Sequence, residues 1–368
     1  MDKAKVYFTD MRCTVGVSLL DKLDRLIRRA GIDTIDFSNR YTAIKIHFGE
    51  PGNLSFLRPN FAKTVADRIK LLGGKPFLTD CGTLYVGRRN NALVHLDAAM
   101  ENGYSPFSTG CQNIIADGLK GTDDIEVPII GGEYLKSALI GRAIMDADII
   151  ISLNHFKGHE CTGFGGAIKN LGMGCGSRAG KMAMHSDASP QVNPELCLGC
   201  RVCIRSCAHD AIDYHEGKAH INGDKCVGCG RCIGSCNFDA ISNEDFNSNN
   251  KLNYKMVEYT KAVVDGRPHF HISIVNQVSP YCDCHSENDA AVVPDIGMFA
   301  GFDPVAVDKA CIDAVNAAPV VGGTLLDEAV RGNDHFSSIH PATDWRTQIA
   351  HAEKIGLGSS EYELITIK

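Results

Sequence analysis

Two cysteine runs of the same spacing constrain this chain more than any other feature. Cys197, Cys200, Cys203 and Cys207 form the first, and Cys226, Cys229, Cys232 and Cys236 the second. Each reads C-x2-C-x2-C-x3-C, and an offset of 29 residues superimposes one on the other. The same offset carries Val192-Asn193 onto Ile221-Asn222 and Asp210-Ala211-Ile212 onto Asp239-Ala240-Ile241. The repeat therefore extends beyond the cysteines, which implies two similar half-modules packed about a pseudo-twofold axis. These eight are half of the 16 cysteines in 368 residues. A chain that long buries a core without disulfides to hold it. Its cysteines point instead to metal, cluster or redox work in a reducing compartment.

The spacing has a chemical reason. Three thiolates set two residues apart wrap one face of an iron–sulfur cube, and the fourth of each run is placed for the other cube. On this rule Cys197, Cys200, Cys203 and Cys236 hold one 4Fe-4S cluster, and Cys226, Cys229, Cys232 and Cys207 hold a second. Gly199, Gly228 and Gly230 suit so tight a wrap. Structural zinc uses two C-x2-C knuckles and a longer spacer, not three cysteines in one run. Residues 190–245 resemble the bacterial-type two-cluster ferredoxin domain. Where that family often has Pro after the fourth cysteine, this chain has Ala208 and Asn237.

Elsewhere strand and helix patterns alternate. Strands are expected at Tyr41–Phe48, Pro76–Thr79, Ala147–Leu153 and Phe270–Val275. Helices are expected at Pro59–Leu72, Asn90–Asn102, Lys251–Val264 and Pro304–Ala317. The Pro59–Leu72 helix has Pro in its first turn and Gly73-Gly74 after its end, the usual start and stop pair. Alternation of this kind predicts an α/β domain with a mostly parallel sheet. The fold class expected is that domain with an inserted small α+β ferredoxin-like unit. The divisions are 1–187 and 247–368 for the two parts of the α/β domain and 188–246 for the insertion, with loop-like borders at Ser186–Pro194 and Ser242–Asn250.

Open α/β sheets collect ligands at the carboxyl ends of their strands. The residues that follow these strands are rich in His, Cys, Asp, Lys and Asn: His47 to Glu50, Asp80-Cys81-Gly82, Asn154 to Cys161, Tyr281 to His285 and Gly301-Phe302-Asp303. Their accumulation on one edge favours a polar pocket over scattered loop residues. His155, Lys157 and His159 are its candidate catalytic groups. Gly165 and Gly166, running into Lys169 and Asn170, form a glycine-rich helix start that suits an anion. It matches neither the dinucleotide nor the P-loop spacing, and close backbone packing is an equal reading. Cys282, Asp283 and Cys284 are a possible second metal site for Fe, Zn or Ni, or else a silent turn with two buried thiols. Cys13, Cys81, Cys111, Cys161, Cys175 and Cys311 default to small core residues.

The strings KVYFTDMR, KIHFGEPGN, NHFKGHECTGFGGAIKNLGMGCGSRAGK and YCDCHSENDAAVVPDIGMFAGFDPVAVDKA, together with the cysteine block, resemble the prokaryotic domain of unknown function 362 family in its form with an inserted ferredoxin module. The resemblance covers roughly residues 4–320. It implies an iron–sulfur protein, commonly of anaerobes, and attaches no reaction to it.

Two classes of function fit. One is an iron–sulfur oxidoreductase that passes electrons from the two clusters to a small-molecule substrate, or to a further metal or cofactor, in the strand-end pocket. The other is an electron carrier or redox-sensing adaptor that docks a redox partner protein. A non-redox enzyme with structural clusters, such as an isomerase, remains a third. A net charge of −7 removes the usual basis for gripping nucleic acid. The N-terminus has no signal-peptide core and the apolar runs are too short to span a bilayer. A cytoplasmic protein with no membrane partner is expected, and a homodimer is possible.

Overall fold

The computed structural model describes residues 3–84, 87–185, 190–226, 232, 236, 238, 240–243, 246–329 and 334–368. At its centre is an eight-stranded sheet. Its strands are β1 (Ala4–Asp10), β2 (Tyr41–Lys45), β3 (Lys75–Asp80), β4 (Gln112–Ile115), β5 (Ile149–His155), β6 (His269–Val275), β7 (Gly297–Gly301) and β8 (Tyr362–Thr366). Across the sheet they run β8-β1-β7-β6-β5-β2-β3-β4. β7 pairs antiparallel with β1 and β6, and the remaining pairings are parallel. The architecture is mixed α/β with a mostly parallel sheet, as the alternating pattern predicts.

Ile149-Ile150-Ile151 is apolar without interruption because helices cover both faces of the sheet. Ile150 packs into one hydrophobic cluster with Leu171, Met256 and Ile312, and Ile149 and Ile151 into the other with Leu26, Val65 and Ile69. The helices that contribute to these two clusters include α1 (Leu19–Arg29), α2 (Pro59–Leu71), α3 (Ala92–Glu101), α4 (Ala167–Cys175), α5 (Phe246–Val264) and α6 (Pro304–Ala317). α4 lies hard against α5: a Cβ on Gly172 would sit 2.1 Å from the Met256 carbonyl oxygen.

Two expectations need correction. The described residues of the polar run Ser242–Asn250 are not a loop. Ile241–Asn243 pairs antiparallel with Pro190–Val192, and α5 begins at Phe246. Gly301-Phe302-Asp303 does not join the carboxyl edge either. β7 runs the other way, so its end lies at the opposite edge, where Asp303 caps α6 by accepting from the Val305 and Ala306 N–H groups (2.8 and 3.0 Å).

The repeat shows in the backbone. Asn193 N–H donates to Ala240 O at 2.8 Å, and its counterpart Asn222 N–H donates to Ala211 O at 2.7 Å. Cys197 and Cys226 likewise donate to the carbonyls of Asn193 and Asn222. Ile212–His215 and Lys218–Ile221 form a hairpin. Cys197, Cys203, Ile212, Ala219, Cys232, Ala240 and Ile241 make a small hydrophobic cluster separate from those of the sheet.

Candidate metal centre

Cys197, Cys200, Cys203 and Cys236 line one small cavity, with Leu198, Arg201 and Phe238 at its rim. The fourth of these comes from the second run. Burial pushes the Cys203 thiol up, and Cys200, Cys236 and Cys197 push it further. Gly199 sits at φ +67°, and a Cβ there would lie 2.2 Å from the Gly217 carbonyl oxygen, so only glycine fits this turn of the wrap. Cys207 is turned towards the Ala211 N–H, at 3.5 Å. Cys226 and Cys232 are described; Cys229, Gly228 and Gly230 lie outside the described residues.

The second group of side chains is built where the carboxyl edge of β5 meets the loop after β6. Past His155 the chain forms a short hairpin, Lys157–His159 with Gly163–Gly165. Gly158 presses on the 280 turn so closely that a Cβ would lie 2.2 Å from the Pro280 carbonyl oxygen. That contact sets His159 beside Cys282 and Cys284. One ligand atom from each of these three lies within 4.8 Å of the others, and Glu160, Cys284 and His285 form a second such set.

Asp283 faces elsewhere. It sits 2.9 Å from His155 Nδ1 and 3.4 Å from Lys157 Nζ. Burial opposes its ionisation, but these two partners override burial and hold it at about 2. His155 has both ring nitrogens engaged, since Nε2 lies 2.8 Å from the Asn276 carbonyl. These contacts brace the loop.

The two thiols share a hydrogen bond, which raises Cys282 to about 12 and holds Cys284 well below its ordinary value. His285 and Lys169 also favour the Cys284 thiolate, and Lys169 Nζ lies 3.4 Å from Cys282 Sγ. Burial works against a charged His285, yet Glu160 and Cys284 outweigh it and lift the imidazole well above its usual range. His159 behaves oppositely. Its Nδ1 accepts from the Cys161 and Thr162 N–H groups, and burial, helped by Lys169, drops it to about 3.

The glycine-rich helix start differs from the anion-loop expectation. Ala167 and Ile168 N–H donate to the Asp308 carboxylate at 2.6 and 2.9 Å. The chain's own acid therefore fills the place of an external anion. Gly165 and Gly166 serve close packing: a Cβ on Gly166 would meet Asp308 Oδ1 at 2.2 Å. Lys169 points to the thiols, and Asn170 ties the Lys45 and Leu153 carbonyls to Asn154.

His155, Lys157, His159, Lys169, Asn170 and Cys284 all line one cavity of about 110 Å³. Cys81 and Cys161 line it too, though both are buried in the core as expected. Cys13 is exposed, whereas Cys111, Cys175 and Cys311 are buried as expected. Sequence reasoning did not single out Lys45, Arg89, Lys181 or Asp308. The available signal was a lysine inside β2, an otherwise buried strand.

The fold and site together define a cysteine-rich α/β protein with candidate metal-binding groups at the carboxyl edge of its sheet. A family model for a domain of unknown function, DUF362, matches residues 42–313, and the chain belongs to that family. A thylakoid-associated protein of Synechocystis sp. is 26% identical over 152 residues, covering 39% of this chain and 40% of that protein. The chain thus spans well under half of that relative. Among solved structures, the lactate racemase apoprotein of Thermoanaerobacterium thermosaccharolyticum is similar over 99% of this chain and 83% of its own, with 12% identity and a TM-score of 0.47. A Thermotoga maritima protein is similar over 81% and 58%, with 13% identity and a TM-score of 0.36. Neither likeness bears on the reaction. Among the described residues, no helix is long and apolar enough to cross a membrane.

Proposed function

We propose that this chain is an iron–sulfur oxidoreductase. Residues 188–246 carry two 4Fe-4S clusters, and electrons pass between them and a substrate at a thiolate-held metal in the strand-end pocket. The observation that carries the proposal is the cavity shared by Cys197, Cys200, Cys203 and Cys236, the crosswise set that a two-cluster ferredoxin uses. A link to the pocket supports it. The Cys161 thiol is raised by burial and Glu160, and further by Cys284 and by Cys232 of the second run.

When bound, each cluster exchanges one electron at a potential set by its surroundings. The chain's own residues hold and tune the rest. Cys282 and Cys284 are the ligands on which the second centre depends, with Lys169 offsetting their charge. His159 would complete the set as a neutral imidazole, the form in which histidine binds metal, and Glu160 stands beside it. His285, whose pKa Glu160 and Cys284 raise well above its ordinary value against burial, is the proton-bearing group next to Cys284. His155 positions Asp283 and Lys157.

A carrier without catalysis accounts less well for a pocket lined by thiol, imidazole and ammonium groups. The test is anaerobic purification followed by metal analysis and electron paramagnetic resonance. About eight irons per chain are expected from two clusters, with a further metal that Cys284→Ser removes while leaving the iron. Cys236→Ser should cost the cluster of the first run. A zinc-only protein, or a Cys236→Ser variant with undiminished iron, would refute the proposal.

A further inference from the structure

The pocket has a second polar wall that the thiolate centre does not use. Lys45, Arg89, Lys181 and Thr83 line it. Lys45 is anchored 2.9 Å from Asp80 and 2.9 Å from Asn170 Oδ1. Arg89 is anchored 2.8 Å from Glu50, behind the wall. Lys181 is different: its Nζ donates to the Gly176 carbonyl at 2.5 Å, and among the described residues no carboxylate lies within ion-pair distance of it, although its charge is felt by Asp117 and Asp80. The Thr83 hydroxyl is buried with no hydrogen-bond partner among the described residues, an arrangement that is costly unless something fills it. His47, between these groups and the thiolate side, is kept neutral by burial and by the combined push of Arg89, Lys157, Lys45 and Lys169. Positive field therefore converges on the interior of a small cavity.

We propose that this wall is the subsite for the carboxylate of a small organic acid. Lys181 and the Thr83 hydroxyl bind its oxygens, and its remaining atoms extend towards Cys284. The inference rests on the strand-end pocket being the reaction site and adds the class of substrate. Size limits that class. A volume of about 110 Å³ holds on the order of ten waters, which matches an acid of a few carbons. Charge limits it further. Asp80 and Glu160 also line the cavity and oppose a second negative charge, which favours a monocarboxylate over a phosphate dianion.

The test is calorimetric titration of the anaerobically purified full chain with propionate and, separately, with inorganic phosphate. Iron is counted on the same samples. Saturable propionate binding is expected, weakened at least tenfold by Lys181→Met, restored in large part by Lys181→Arg, and weakened about threefold by the near-isosteric Thr83→Val. No saturation, an affinity unchanged in both Lys181→Met and Thr83→Val, or phosphate bound tenfold more tightly than propionate would overturn the subsite. Low iron with normal propionate binding would support the subsite and refute the clusters. Full iron without propionate binding would do the reverse.

Discussion

Asp308 offers a sharp test of how the pocket is framed. Its side chain is fully buried in α6 and accepts from the first two N–H groups of α4. Burial outweighs those two bonds and pushes the carboxyl from 3.8 up to about 7. Between those values the native chain holds a proton that the unfolded chain has released. Stability due to this group therefore falls as pH rises through that window and levels off above about 7. At 1.36 kcal/mol per unit, the loss between pH 4.5 and 7.5 comes to about 3 kcal/mol. Other groups titrate in the same range, so the informative quantity is a difference. Urea unfolding of wild type and Asp308→Asn across that range should show the wild-type advantage shrinking by about 3 kcal/mol as pH rises. Parallel curves would show that Asp308 is ionised throughout, and the account of its burial would be wrong.

Gly158→Ala should separate the hairpin from the 280 turn, because its Cβ would overlap the Pro280 carbonyl. A loss of about 1–3 kcal/mol in thermal unfolding is expected, together with a larger fractional loss of the non-cluster metal than of iron. Asp283→Asn removes the charge that balances Lys157 and His155 in a buried setting, and should cost about 3–5 kcal/mol in denaturant unfolding. A variant as stable as wild type would mean that Asp283 does not brace the loop. Glu258 accepts from the N–H groups of Glu133, Tyr134 and Leu135 and lies 3.1 Å from His351 Nε2. Burial acts against its charge, but these partners still lower its pKa, so its stabilisation is present at neutral pH and fades as acid titrates it. Glu258→Ala should cost at least about 3 kcal/mol at pH 7, with a smaller difference near pH 3.

The elements most visible in the sequence are those whose burial follows a single period. α2 has apolar residues at helical spacing between Pro59 and Gly73, and α6 has a proline start and an Asp cap, and both occupy nearly the expected residues. Ile149 to Leu153 reads as a buried strand because both its faces are covered. Polar composition misled at Ser242–Asn250. There the backbone first pairs with Pro190–Val192 and then enters α5, whose burial is set by α4 and by Asn249 and Asn253 bonding to the 342–347 segment. Long-range partners of that kind leave no local pattern. Asp308 was hidden for a related reason: an acid within a helix normally marks a solvated face, and only the approach of α4 makes it a cap.

The direction of β7 decides what the pocket contains. An apolar run such as Gly297–Gly301 carries no information on which way its strand runs, because direction follows from its neighbours. Gly297 approaches β1 so closely that a Cβ would sit 2.4 Å from the Thr9 carbonyl oxygen and from Phe8. β7 accordingly pairs antiparallel with β1 on one side and β6 on the other. An antiparallel return needs no crossover helix, so the chain between Val275 and Gly297 stays at the carboxyl edge of β6. It lies across the end of β5, which brings Cys282, Cys284 and His285 to His159, Glu160 and Cys161. The same reversal takes Asp303 away to the far edge. The thiolate centre thus depends on one strand that breaks the parallel order, and the residues nearest in sequence to a strand end are not always those nearest to the site.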